Sequence, residues 1–206
     1  MIISWYGEGC FKIQHGERVL LVDPPEKSSG LTTPRMQTDV IIRTLVPWPF
    51  EDNEARDGEM VYGAGEYDIQ GIVIKGFALN DESGEQFIKT AYVITVDDVR
   101  IGIAGHVSQT LPPAAAESFE ELDVLIAPAG GEPFMSQEAV VRMVKQLNPK
   151  VFIPSFYKIP GLKRSAKDIK PVLEEFNGEA SSQDKFVFKK KDIADIKKTT
   201  CVCLHV

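Results

Sequence analysis

The sequence predicts an α/β fold in which two sheets are covered by helices. Two observations carry that reading. The first half is rich in short apolar runs separated by Gly, Pro and Asp turns, and the second half alternates segments of helical and strand period. No linker separates the halves and no internal repeat is visible, so the 206 residues read as one domain, 1–206, long enough for a sizeable core.

Ile2 to Tyr6 and Cys10 to Gln14 read as short strands around a Gly7-Glu8-Gly9 turn. Val19 to Val22 is an apolar run that must stop at Asp23-Pro24-Pro25, because proline cannot donate to a ladder. Glu26 to Thr38 is polar and reads as an exposed loop. Asp39 to Phe50, DVIIRTLVPWPF, reads as a buried strand running into a proline-punctuated turn. Gly58 to Phe77 alternates and carries four internal glycines (Gly63, Gly65, Gly71 and Gly76), which suits hairpins with Gly71 in the middle of the second. Thr90 to Val96 and Val99 to Ile103 flank Asp97-Asp98, a hairpin turn.

The period then changes. Pro112 to Glu121 is expected as a helix with proline in its first turn. Val124 to Ala127 is a buried strand, and Ser136 caps a helix that Asn148-Pro149 ends. Val151 to Pro154 is a strand, and Ser165 to Phe176 is expected as a helix closed by Asn177-Gly178. Lys185 to Lys190 and Thr200 to His205 complete the strands.

Composition excludes some functions. A formal net charge of −7 argues against a general nucleic-acid or anionic-membrane surface. The N-terminus reads as a strand and not a signal peptide, and no apolar run approaches the roughly 20 residues that span a bilayer. Three cysteines do not make a disulfide framework, which points to a reducing cytoplasm. The histidines are His15, His106 and His205, too few for a dinuclear zinc centre built mainly from imidazoles.

The order WYGEGCF, VLLVDP, DVIIRT, AGEYDIQGIVIKGF, IGIAGH, LDVLIAPAGG and PKVFIPSFYKIPG resembles the metallo-β-lactamase superfamily, nearest its small branch related to ascorbate-phosphate lactonase. The resemblance covers nearly the whole chain and implies a four-layer αββα sandwich with zinc or manganese held in loops at one sheet edge. In that family a strand like DVIIRT is followed by T-H-x-H-x-D-H, whose donors converge on two ions that lower the pKa of a bound water. Carried onto this chain, Thr44 keeps its place and the ligand positions fall on Leu45, Pro47, Pro49 and Phe50. The remaining positions fall on Asn80, on His106 in place of a bridging aspartate, and on Phe156, with Gln109 where a further histidine sometimes stands. Leucine, proline and phenylalanine offer a metal no side-chain lone pair, so no metal cofactor is expected. The apolar cluster, with Phe156 opposite, is expected to fill or line the former metal cleft.

Candidate residues follow. Asp23 reads as a general base or as a turn aspartate accepting backbone N–H groups, and His106 as an acid–base or ligand-binding group or a hydrogen-bonded loop histidine. Asn80, His106, Gln109, Tyr157 and Lys158 are candidates for ligand binding at the old cleft. Cys201, Cys203 and His205 alternate on one strand face, but neighbours there stand about 6.5–7 Å apart, wide for one zinc. Lysines 189–191, 197 and 198 read as a solvated edge. The expectation is a metal-free, non-catalytic member that binds a small molecule or assembles as a homo-oligomer. The alternative is a hydrolase of a small ester, lactone or phosphorylated compound using Asp23 and His106, with or without a single metal.

Overall fold

The computed structural model describes residues 1–25, 29–32, 34, 36–50, 58–176 and 183–206. In chain order the first strands are β1 (Ile2–Trp5), β2 (Phe11–His15), β3 (Arg18–Val22), β4 (Val40–Arg43), β5 (Leu45–Pro47), β6 (Glu59–Tyr62), β7 (Gly65–Ile69) and β8 (Ile72–Ala78). They are followed by β9 (Phe87–Val96), β10 (Val99–Ile103), α1 (Pro113–Ser118), β11 (Val124–Pro128), α2 (Gln137–Leu147) and β12 (Val151–Ser155). The chain ends with α3 (Lys170–Glu174), β13 (Lys185–Val187), α4 (Lys190–Ala194) and β14 (Thr200–Cys201).

Two sheets result. One has the order β13-β1-β2-β3-β4-β6, and the other β14-β12-β11-β10-β9-β8-β7, with β5 pairing β9 beside it. Alternation decides which side chains meet. Ile3, Phe11, Ile13, Leu20, Ile42 and Val61 from the first sheet join Ile74, Tyr92, Ile94, Ile101, Ile126 and Ile153 from the second in one buried cluster. The opposite face of the second sheet, through Val93, Leu125 and Phe152, packs with Phe119 after α1, Val140 and Val144 of α2, and Val172 and Leu173 of α3. This is the sandwich that the apolar pattern predicts.

Local signals hold where turn chemistry is decisive. Asp97 and Asp98 both adopt positive φ (45° and 62°), as a two-residue hairpin turn requires. The Ser136 side chain accepts the Ala139 amide at the start of α2, and Asn148 ends the helix in the left-handed region at φ 46°.

Tertiary contacts overturn others. β6 is no hairpin partner of β7 but runs parallel to β4 in the first sheet. Only Lys170–Glu174 of the expected helix from Ser165 is helical. Upstream of it the Lys167 amide bonds Gly130 O and its carbonyl accepts the Lys158 amide, tying that segment across a neighbouring turn. The Asn177-Gly178 stop and parts of the expected 26–38 loop lie outside the described residues. Lys190–Ala194 is a helix where a strand was expected to end, and β14 stops at Cys201.

What matters for function is the alignment of strand ends. β3 and β4 are parallel, as are β10, β11 and β12, so their carboxyl ends lie at one edge. Asp23, Thr44, the Gly105-His106 turn and Phe156 follow β3, β4, β10 and β12 there, the edge at which open α/β sheets place their ligands.

Candidate functional site

Asp23 leaves β3 with φ 40°, a conformation aspartate tolerates, and its amide bonds Ile42 O. Its carboxylate receives Thr44 twice: the amide donates to Oδ1 at 2.8 Å and the hydroxyl lies 2.6 Å from Oδ2. The same hydroxyl oxygen lies 2.6 Å from His106 Nδ1, and the direct His106–Asp23 separation is 3.7 Å. Gly105 makes this approach feasible: at φ 60°, a Cβ there would fall 2.4 Å from the Thr44 side chain.

Proton counting fixes the direction of this chain. A threonine hydroxyl has one proton, and an ionised carboxylate only accepts. Thr44 therefore donates to Asp23, and His106 donates to Thr44 from Nδ1. The imidazole is held as the Nδ1–H tautomer, and Nε2 keeps its lone pair, with no hydrogen-bond partner among the described residues. Burial pushes the imidazole pKa down; the Asp23 charge opposes this and Lys89 reinforces it, leaving it below the usual histidine value. His106 is thus neutral at pH 7, an acceptor at the wall of a cleft.

That cleft has a volume of about 300 Å³. Asp23, Arg43, Leu45, His106, Phe156 and Arg164 are among its lining residues. Phe156 and Phe134 meet the His106 ring edge-on at 5.0 and 5.6 Å and each other at 4.3 Å. Phe156 has φ 58°, a strained conformation for an aromatic residue. Gly130 backs it so closely that a Cβ would sit 2.0 Å from the Phe156 carbonyl oxygen. Across the mouth, Arg164 forms a two-pronged pair with Glu8 (3.1 and 2.8 Å), donates to Phe156 O at 2.7 Å, and stands over the Phe134 ring.

A second cluster anchors the loop after His106. Glu82, in a 3-10 turn at Asn80–Glu82, has a side chain only 3% exposed. It accepts the Ser108 amide and hydroxyl (both 2.6 Å), the Gln109 amide (2.8 Å) and the Lys89 ammonium (3.1 Å). Burial raises the Glu82 carboxyl, but these bonds together outweigh it and hold it below the usual carboxylate range.

The structure thus brings Asp23, His106, Leu45 and Phe156 to one cleft and leaves the other predicted site residues outside it. Pro47 and Pro49 are exposed, with Trp48 between them 51% exposed, and Phe50 packs on Tyr62 at 4.4 Å, so these residues of the turn do not line the cleft. Asn80 and Gln109 are surface residues beside the Glu82 anchor. Tyr157 is corrected outright: it is buried, its ring packs against Trp5 at 4.6 Å, and its hydroxyl donates to Leu204 O, so it cannot reach a cleft ligand. Lys158 is exposed and is not among the cleft-lining residues. Cys10, Cys201 and Cys203 are buried free thiols, and His205 is exposed. No helix among the described residues is long and apolar enough to cross a membrane.

A profile of the Beta-lactamase superfamily domain matches residues 2–155. The chain belongs to the metallo-β-lactamase superfamily. Solved structures of superfamily type share its fold. One, from Thermotoga maritima and assigned to the zinc-dependent hydrolases of the superfamily, is 22% identical with a TM-score of 0.80, covering 99% of both chains. A metallohydrolase of the archaeon Ignicoccus hospitalis is 16% identical (TM-score 0.65; 91% of this chain, 99% of that one). An isothiocyanate hydrolase from Delia radicum gut bacteria is 13% identical (TM-score 0.59; 98% and 96%). A search of curated protein sequences returns no match.

The described residues at the cleft of this superfamily member do not fit the metal its family implies. Among the described residues no three His, Cys, Asp or Glu side chains are grouped to hold an ion. Both Asp23 oxygens and His106 Nδ1 are engaged by Thr44, and Leu45 and Phe156 present only carbon to the cleft. Sequence reasoning missed Glu8, Arg43, Phe134, Arg164 and Glu82. Thr44 alone had a signal, as the retained first residue of the superfamily motif.

Proposed function

We propose that this superfamily member binds a small molecule in the cleft beside His106 without a metal and does not carry out the family's metal-dependent hydrolysis. The observation that supports it is an open cleft of about 300 Å³ in which carbon occupies ligand positions, at Leu45 and Phe156, while polar groups remain around it. The Nε2 lone pair suits a ligand hydroxyl or N–H, Arg43 brings a cation, and the Phe134 and Phe156 rings suit an apolar or planar body. Elemental analysis of purified protein after incubation with zinc and with manganese tests the reading. The expected content is well below one ion per chain; about two ions, as a dinuclear centre requires, would overturn it.

A second reading is favoured by the Asp23–Thr44–His106 chain: metal-free hydrolysis of a small ester, lactone or phosphorylated compound. For an ester, His106 Nε2 would take a proton from water as the water oxygen bonds the carbonyl carbon. The ester C–O bond then breaks, and the imidazolium returns that proton to the leaving alkoxide. With any substrate that turns over, His106→Ala is expected to lower kcat about 10²-fold or more, the usual worth of a positioned base. Turnover that survives the substitution would remove His106 from the chemistry.

A further inference from the structure

A cavity larger than the cleft lies on the other side of the loop that carries His106. Its volume is about 510 Å³, within the few hundred Å³ typical of small-molecule sites. The loop after β10 and the segment before α2 form a shared wall, joined by the Met135 amide bonding Val107 O. His106 and Phe134 face the cleft from this wall, while Ser108, Gln109 and Met135 face the larger cavity.

Its lining is divided by chemistry. Leu111, Met135, Met143 and Leu147 supply an apolar floor, and both methionines are buried. Thioether side chains adapt to flexible apolar ligands. Among the polar lining residues, Arg142, Gln146 and Gln109 are exposed and stand at the rim. Ala139, Arg142, Met143 and Gln146 fall at i, i+3, i+4 and i+7, one stripe of α2, which places Arg142 beside the apolar floor. Among the described residues Arg142 forms no hydrogen bond or ion pair and feels Glu138, one turn earlier, only through space. On a chain of net charge −7, a cation beside an apolar cavity favours an anionic head on an apolar body. Its planar fork matches a carboxylate.

We infer that this cavity is a second ligand site, for a medium-chain carboxylate or similar anionic amphiphile, with the tail on Met135 and Met143 and the head at Arg142. The inference stands apart from the cleft reading, since it uses none of the residues around His106 Nε2.

Octanoate is the probe, and titration calorimetry with methionine-methyl NMR is the measurement. Saturable binding that shifts the Met135 and Met143 methyl signals, and not that of Met1, which packs half-buried against the inter-sheet core, is expected. Arg142→Gln, a change at an exposed helix position, should weaken binding about fivefold, the scale of a screened charge contact. Ala139→Phe should fill the cavity and abolish binding, and His106→Gln should leave it unchanged. Octylammonium binding as tightly as octanoate would overturn the anionic class. Absence of octanoate binding to the folded wild-type protein, or full binding by Ala139→Phe, would overturn the site.

Discussion

Glu82→Ala is expected to destabilise the protein by about 3–4 kcal/mol, because it strips a buried carboxylate from four donors at once. The amides of Ser108 and Gln109, the Ser108 hydroxyl and the Lys89 ammonium all converge on it. The Lys89 side chain is only 13% exposed, so water replaces the lost acceptor poorly. For a chain of this length that corresponds to a melting temperature lower by roughly 6–16 °C, read by calorimetry. The loop after His106 should also lose amide-exchange protection at residues 107–109. pH gives an independent check. The folded pKa of Glu82 lies below its unfolded value, so the ionisation-linked part of its contribution is complete above about pH 4.3 and is lost as pH falls through the folded pKa. The gap between variant and wild type should therefore be widest at neutral pH and narrow in acid. A loss under about 1 kcal/mol at pH 7 would mean that the loop is held by something other than this carboxylate.

The contrast between Glu82 and the turns shows what the chain announces locally. Asp97-Asp98, Ser136 and Asn148 act within four residues, and each does what its local chemistry predicts. The sandwich was legible for the same reason: alternation along Ile3, Phe11, Ile13 and Leu20 is a local property that says which face is buried. The helix expected from Ser165 to Phe176 fails over its first turns because Lys167 is engaged by Gly130 and Lys158, partners that no window around residue 167 contains. The site is harder still. Thr44 reaches Asp23 across 21 residues and His106 across 62, and Arg164 reaches Glu8 across 156. Resemblance to the superfamily placed Asp23 and His106 near one another, but the hydroxyl that joins them, and the arginine that crosses the mouth, follow from folding and not from periodicity.

Thr44→Val tests that junction with the least change of shape. Valine preserves the branched side chain in a residue only 1% exposed, so what disappears is the hydroxyl. Asp23 Oδ2 loses its 2.6 Å donor and His106 Nδ1 its acceptor, while the Thr44 backbone bond to Oδ1 is retained. A hydrogen bond to a charged group is worth about 1.5–3 kcal/mol, so a loss of about 2–3 kcal/mol in urea unfolding is expected, largely restored by Thr44→Ser. The imidazole should report the change directly. In wild-type protein, nitrogen NMR should show the Nδ1–H tautomer with Nε2 unprotonated; in Thr44→Val the enforced tautomer should give way to a mixture. The pH dependence of wild-type stability has a definite sign. His106 titrates below its unfolded value of about 6.5, so between the two pKa values the unfolded chain binds more protons and stability falls as pH drops from 6.5 towards the folded pKa. Replacing His106 by phenylalanine should remove that slope. An unchanged tautomer and a stability loss below about 0.5 kcal/mol in Thr44→Val would show that the hydroxyl merely fills space, and the metal-free base would lose its orienting group.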